Sequence, residues 1–268
     1  MGFRLMKFTS VKRNHRDVAQ KATLSLSLSQ FMRQVCDDFI ELRRERVSFG
    51  KNRVIGGFAT IGKYSAIGLI HCQDGHGRKV RIQEPDSGRV NGFRNVQRLM
   101  QLAHKFRRPV VVCFADSSPS SGTAITKLHE ALGLPRHILS QWYLDVPIIL
   151  VVLTSKSAYD IFGIWLADKA IALEQTQFVM TLHDRGKNRR ILMSTEELVR
   201  GRIIDKAIAV PSNLACHSQA VMPYRLRGAL IQMLDEISHV SPSELMVRRQ
   251  AKVARVKAIA VDVCSRGK

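Results

Sequence analysis

Residues 154–160, Thr-Ser-Lys-Ser-Ala-Tyr-Asp, bring hydroxyls, an ammonium, a phenol and a carboxylate together directly after the apolar run VPIILVVL at residues 146–153. A buried strand that ends in a polar turn is where an α/β enzyme holds backbone N–H groups for a reacting oxygen. Donors fixed by the backbone need no reorganisation as charge develops. This turn contains no glycine, so each of its backbone donors sits beside a side chain.

A second candidate turn, Asp-Ser-Ser-Pro-Ser-Ser-Gly-Thr at residues 116–123, follows the apolar run VVVCF. Its serines could cap a helix locally or receive an anion, but the lysine and glycine spacing of a phosphate loop is absent. Asp116 and Asp160 each follow an apolar run, which invites acid/base work and equally fits a cap or a partner for a helix dipole. His71, Cys72 and His76 are close enough in sequence to share a loop. A closed zinc site needs a fourth ligand, so no metal is expected on this chain. Nor does the spacing offer a serine–histidine–acid set.

The elements that must position these turns read as one large α/β core. A chain of 268 residues with 45% apolar content can bury a substantial interior. Lysine and arginine total 42 against 22 acidic residues, a net charge of +20 that makes acidic proteins, anionic cofactors and nucleic acid plausible partners. No RNA-recognition sheet signature or zinc-finger spacing accompanies that charge. The five cysteines, at 36, 72, 113, 216 and 264, are dispersed without disulfide-framework spacing, which fits a reducing, cytoplasmic setting. No continuous apolar signal core follows Lys7, Lys12 and Arg13, and residues 148–153 are too few to cross a bilayer, so no membrane insertion is expected.

Along the chain, residues 1–50 read as a basic N-terminal arm followed by a docking or core-covering helix. That helix is capped by Ser29 and runs to about Leu42, with Phe31, Val35, Phe39 and Leu42 on one face. Residues 51–240 form the core. In it, strands 53–60 and 64–71 flank a turn at 61–63, and a polar connection spans 75–92. A helix then buries Phe93, Val96, Leu99, Met100, Ala103 and Phe106, and Pro109 ends it ahead of a strand at 110–114. A helix at about 124–132, a strand after Pro147 and strands at 170–173 and 178–180 come next. Ser194 to Glu197 make a capping box and Gly201 a helix stop. A helix at 223–237 carries Tyr224, Leu230, Ile231, Leu234 and Ile237 on one face. Residues 241–268 form a basic C-terminal helix and tail, capped by Ser241, Pro242 and Glu244 and helical to about Ala260.

The order of these segments resembles the alpha subunit of the bacterial acetyl-coenzyme-A carboxylase carboxyltransferase, in the crotonase-like superfamily. NRVIGGFATIGKYSAIGLIHCQDGHG resembles that family's first strand block. GFRNVQRLMQLAHKFRRPVVVCFAD, with the Ser117-Ser118-Pro119 that follows it, resembles its signature helix, strand and turn. VPIILVV, ADKAIALEQTQFVM, STEELVRGRIIDKAIAVP and SPSELMVRRQAKVARV continue the series, so the resemblance runs from about Asn52 to Arg255. It implies an α/β crotonase-like (ClpP/crotonase) fold of repeated ββα units with helices flanking the sheets.

The resemblance also implies a function. A beta-like partner subunit with a zinc ribbon would complete a pocket for an acyl-CoA and for carboxybiotin borne on a separate biotin carboxyl carrier protein. The assembly would be a heterotetramer or larger, moving carboxylate to acetyl-CoA or a related short acyl-CoA. By position, the backbone N–H groups of Ser157, Ala158, Tyr159 and Asp160 become the oxyanion turn. Lys156 is placed to attract a carboxylate or phosphate, and Ser118, Ser121 and Gly122 shape the facing wall. The chain departs from the family at both turns: Asp116 to Thr123 stand where the family has DTPGAYPG, and TSKSAYDI where it has GEGGSGGA. A structural or regulatory subunit that has lost the reaction is therefore the second expectation, and a nucleic-acid-binding protein the third.

Overall fold

The computed structural model describes residues 28–42, 52–73, 87–116, 145–153, 159–160, 167–184, 187–209 and 218–266. Helix α1 (Leu28–Val35) opens this set, followed by strands β1 (Asp38–Glu41), β2 (Asn52–Ile61) and β3 (Tyr64–Gln73). After α2 (Ser87–Phe106) come β4 (Val110–Asp116), β5 (Ile148–Val152), β6 (Tyr159–Asp160) and β7 (Lys169–Leu173). The hairpin β8 (Gln177–Asp184) and β9 (Lys187–Ser194) leads to α3 (Thr195–Arg200), β10 (Lys206–Ile208), α4 (Ser218–Ile237) and α5 (Pro242–Arg266).

Seven strands build the main sheet in the order β1-β2-β3-β4-β5-β7-β10. β1, β2 and β3 pair antiparallel, and from β3 to β10 every neighbour is parallel. A parallel sheet needs both faces covered, and its strands accordingly read as unbroken apolar runs rather than as alternation. All five residues of β5 are buried. Their side chains divide between two cores: Ile148, Leu150 and Val152 face one, Ile149 and Val151 the other. α1 and α4 cover the second face through Met32, Val35, Leu226, Leu230 and Leu234. α2, α3, α5 and a second sheet, β6-β8-β9, cover the first through Leu99, Leu198, Val256, Phe178 and Met180. Two strand-strand-helix units are thereby visible, β2-β3-α2 and β8-β9-α3.

The local signals for these elements are mostly the expected ones. The β2–β3 turn places Gly62 at φ +60, where a side chain would be strained. The capping box is complete: the Ser194 N–H donates to Glu197 Oε2 at 2.6 Å and the Glu197 N–H to Ser194 Oγ at 3.2 Å. At the start of α5 the Glu244 N–H donates to Ser241 Oγ at 3.3 Å, while the Glu244 carboxylate accepts from Arg248 at 2.7 Å.

Four expectations are corrected. α1 spans Leu28–Val35, so Ser29 lies inside it rather than capping it and the helix stops well short of Leu42; Phe39 is buried on β1, whose register pairs it with Ala59. α2 begins at Ser87, inside what reads as a polar connection. Phe106 and Tyr224, both expected on buried faces, are 49% and 74% exposed. α5 continues past Ala260 to Arg266. The helix expected at about 124–132 lies outside the described residues.

Candidate functional site

The two candidate turns leave one edge of the main sheet. Cys113 and Phe114 of β4 pair with Val151 and Val152 of β5, and the Leu153 N–H donates to the Phe114 carbonyl at 2.8 Å. On the other side of β4, Ala115 and Asp116 pair with Cys72 and Gln73 of β3. The carboxyl ends of three adjacent parallel strands are thus level, which is where an open α/β sheet places its ligands. Asp116 belongs to the strand by its backbone rather than to the loop after it.

From that edge the chain passes to the second sheet. Tyr159 pairs in parallel with Phe178, and Asp160 with Val179. Successive residues on a strand in a parallel ladder aim their backbone groups to opposite sides, so only one of these two N–H donors points at β8. The other is turned away from the ladder and has the chemistry to meet a carbonyl or carboxylate oxygen. Ser118, Ser121, Gly122, Lys156, Ser157 and Ala158 lie outside the described residues, and of Tyr159 and Asp160 the backbone alone is described. His71 and Cys72 are on β3 by backbone, and His76 lies outside. Among the described residues no group of three His, Cys, Asp or Glu could hold a metal ion, and no helix is long and apolar enough to cross a membrane.

The opposite, amino edge carries a buried charge network that the sequence reading missed. The Asp168 side chain is fully buried just ahead of β7. Its carboxylate accepts from Arg249 Nε at 2.8 Å, Arg249 Nη2 at 2.6 Å and the Ile148 N–H at 2.7 Å. Arg249 Nη2 also donates to the Val146 carbonyl at 2.8 Å. One turn along α5, Lys252 Nζ donates to the carbonyls of Ala167 at 3.0 Å and Asp168 at 3.3 Å and lies 3.5 Å from Asp205 Oδ2. Asp205 in turn accepts the Ala170 N–H at 2.8 Å and meets Lys169, which reaches Glu236 of α4 at 2.6 Å.

Burial dominates the electrostatics of this edge. It pushes the Asp168 carboxyl above its ordinary value, against the opposing pull of Arg249, and draws the Lys252 ammonium below its ordinary value despite Asp205 and Asp168. At the less buried Lys169, burial acts in the same direction, but Glu236 and Asp205 outweigh it and hold the ammonium above its ordinary value. A sequence signal for the network did exist. Leu245, Arg249, Lys252, Val256 and Ile259 recur at spacings of four and three, so two cations occupy slots on the face that α5 turns to the core.

Comparison with known proteins extends this geometry. An acetyl-coenzyme A carboxylase carboxyl transferase subunit alpha from Exiguobacterium sibiricum is 24% identical over 241 residues, covering 84% of this chain and 77% of that protein. Its counterpart from Nostoc punctiforme is 24% identical over 273 residues, 95% of this chain and 81% of that one. Among solved structures, a Pseudomonas malonate decarboxylase hetero-tetramer in complex with coenzyme A superposes with a TM-score of 0.50 at 14% identity, covering 92% of this chain and 98% of that chain. The fold is α/β and crotonase-like, with its repeated strand-strand-helix units. Residues 13–257 match the family described as acetyl co-enzyme A carboxylase carboxyltransferase-like, and the chain belongs to that family.

Proposed function

We propose that this chain is an alpha-like carboxyltransferase subunit that works with a beta-like partner to carboxylate acetyl-CoA or a related short acyl-CoA, giving malonyl-CoA or its analogue. The observation that carries the reading is family membership across residues 13–257, joined to two candidate turns that leave adjacent strand ends. Carboxybiotin, borne on a separate carrier protein, would supply an activated carboxylate. The acyl thioester would give up an α-proton, the carbon nucleophile so formed would take the carboxylate as the N–CO2 bond of carboxybiotin breaks, and the freed ureido nitrogen would end with the proton.

This chain's own part is to hold donors. Backbone N–H groups from within residues 157–160 would meet developing negative charge on oxygen, because fixed dipoles in a dry pocket act without reorganising. The donor of β6 that is turned away from β8 fits that task. Lys156 would draw the anionic group in, and Ser118, Ser121 and Gly122 would line the facing wall.

A second reading is favoured by the side chains that replace glycines in TSKSAYD: a subunit that keeps the scaffold and the partner but not the reaction. One experiment separates the two. The purified chain, a beta-like partner and a biotinylated carrier protein are assayed for carboxylate exchange with acetyl-, propionyl- and butyryl-CoA. Transfer that Lys156→Ala diminishes while the assembly stays intact supports catalysis. A stable assembly with no exchange for any acyl group leaves the structural reading standing. Assembly and exchange are measured at a fixed, moderate salt concentration, so that the net charge of +20 does not produce nonspecific capture.

A further inference from the structure

The end of α2 and the outermost described strand of the main sheet share an apolar patch with a cationic rim. Ile40 of β1 stands directly opposite Phe58 of β2 and is 57% exposed. Side chains paired in this way lie on one face of the sheet with their Cβ atoms about 5 Å apart. The half-buried Phe58 meets Phe106 of α2 edge-on, with ring centroids 6.3 Å apart, and Phe106 is itself 49% exposed. Leu102, one turn earlier on α2, is half-buried as well. Ile40, Phe58 and Phe106 thus join into one surface, whereas a single exposed apolar side chain would need no explanation.

Lys105, Arg107 and Arg108 form the rim. All three are exposed, and Lys105 Nζ lies 5.8 Å from the centre of the Phe106 ring. Among the described residues none of the three meets a carboxylate, while the neighbouring His104 pairs with Asp145 at 3.2 Å. Asp38, on the same face of β1 as Ile40, is outnumbered by these cations. Arg107 has φ +48, the left-handed conformation that a helix end usually gives to glycine. Its N–H donates to the His104 carbonyl at 3.1 Å and the Arg108 N–H to the Ala103 carbonyl at 2.9 Å, bonds that a glycine at 107 would leave in place. The helix end alone therefore does not call for a guanidinium there.

Charge decides what can cover this surface. A second copy of the chain would set the three cations against their like. Residues 43–51, which follow β1, carry Arg43, Arg44, Arg46 and Lys51 against Glu45, and residues 1–27 carry six lysines and arginines against Asp17. Neither segment complements the rim.

We propose that the Ile40, Phe58 and Phe106 patch is the docking surface for an acidic segment of a different protein chain. That segment seats an aromatic or branched aliphatic side chain on Phe106 and sets carboxylates against Lys105, Arg107 and Arg108. An apolar anchor at the centre carries most of the affinity of such a contact, and charges at its rim select the partner. α2 leads through Pro109 into the start of β4, the opposite end of that strand from the candidate turn after Asp116. The inference goes beyond the reaction proposed above and does not depend on it.

The test titrates the full chain into a short fluorescein-labelled peptide in which Leu and Phe are interleaved with Asp and Glu, and reads binding by anisotropy. One control peptide has Lys for every acid, and a second has Ser for every Leu and Phe. The net charge of +20 attracts any acidic peptide, so the serine control sets the background. The acidic apolar peptide should bind at least about tenfold more tightly than either control. Phe106→Ser, and separately Lys105→Gln joined to Arg108→Gln, should each remove most of that margin, and added salt should weaken the wild-type complex. Arg107→Gly should weaken binding without lowering the denaturant midpoint, since glycine adopts the left-handed conformation freely. Binding of the serine peptide as tight as that of the acidic apolar one, or wild-type affinity in Phe106→Ser, overturns the proposal. So does self-association in sedimentation that Phe106→Ser abolishes, which would make the occupant a second copy. Tighter binding of an oligouridylate or of phosphatidylserine vesicles, lost in Phe106→Ser, overturns it likewise. Should Phe106→Ser fail to fold, the substitutions at the exposed Lys105, Arg107 and Arg108 decide the matter against the same peptides.

Discussion

Replacing Arg249 by methionine isolates the energetic role of the amino edge. The Asp168 side chain is fully buried and the Arg249 side chain only 9% exposed, so the substitution strands a carboxylate that has lost two charge-assisted hydrogen bonds. Breaking a buried pair from one side typically costs about 3–5 kcal/mol, because the remaining charge keeps its desolvation penalty without its partner. Two further effects pull in opposite directions. The Val146 carbonyl loses its donor, but an Arg249 nitrogen, Nη1, that is buried without a partner goes too. The expected loss is therefore in the lower half of that range, about 3–4 kcal/mol. Asp168→Asn removes the charge and keeps an oxygen for the Ile148 N–H, so the double variant should recover part of the loss, with a coupling of about 1–2 kcal/mol. Urea unfolding of the wild type, both single variants and the double variant measures all four corners. Arg248→Ala on the same helix is the control, since its i,i+4 pair with Glu244 is half exposed and worth about 0.3–0.5 kcal/mol. A cost for Arg249→Met no larger than that control would refute the reasoning.

Other consequences are open to direct measurement. A methyl group at Gly57 would sit 1.9 Å from the Ile40 carbonyl oxygen, so Gly57→Ala should force β1 from β2 and lower unfolding stability by about 1–3 kcal/mol. Gly228, on α4 with nothing within 4 Å, should behave oppositely: Gly228→Ala is expected to add about 0.5–1 kcal/mol. The Gly62 N–H and then Arg227 hold the Asp37 carboxyl below its ordinary 3.8, and the Ser194 N–H and hydroxyl hold Glu197 below its ordinary 4.5. Folded values below the unfolded ones stabilise the chain above the ordinary range, and that contribution is lost as pH falls through the folded values. Denaturant midpoints should thus drop on acidification from about pH 4.5, less steeply in Asp37→Asn, and a slope unchanged by that variant would count against the assignment. Burial pushes the Cys36 thiol up to about 12 and Cys113 higher still. Alkylation followed by mass spectrometry should leave both unlabelled in the native chain at neutral pH and label both in urea.

How much of this was legible in the sequence depends on whether the deciding partner is local. The capping box at Ser194, the stop at Gly201 and the β2–β3 turn are settled within a few residues, and each appears where expected. Phe31, Val35 and Phe39 fit a helical face, but the helix gives way where Asp37 finds distant partners in Gly62 and Arg227. β9 escaped notice because two arginines precede a short Ile-Leu-Met run. In the folded chain Ile191 and Met193 pack inward while Leu192 is 63% exposed, an alternation too brief to read. Tyr224 failed as a core residue because the buried face of α4 centres on Leu226, Leu230, Met233 and Ile237. The amino-edge network required knowing that Arg249 and Asp168, 81 residues apart, face each other. For the candidate site, what was legible was its address at the ends of β4 and β5. The strand pairing of Tyr159 and Asp160 with β8 was not, since a two-residue strand has no pattern of its own.

The two edges of the sheet also differ in what the fold asks of them, because among the described residues the buried charge lies at only one. A five-residue strand such as β5 is about 17 Å long at roughly 3.3 Å per residue. Ladder bonds to β4 and β7 hold it along that length. Substitutions at the amino edge would strand a buried charge and loosen α5, so the fold itself depends on Asp168, Arg249 and Lys252. The glycine-free turn TSKSAYD limits how closely a ligand can approach the backbone, and the pairing of β6 with β8 takes up one of its two donors. Under the function proposed above, carboxyl transfer would draw on the β6 donor that is turned away from β8 and on the residues just before it.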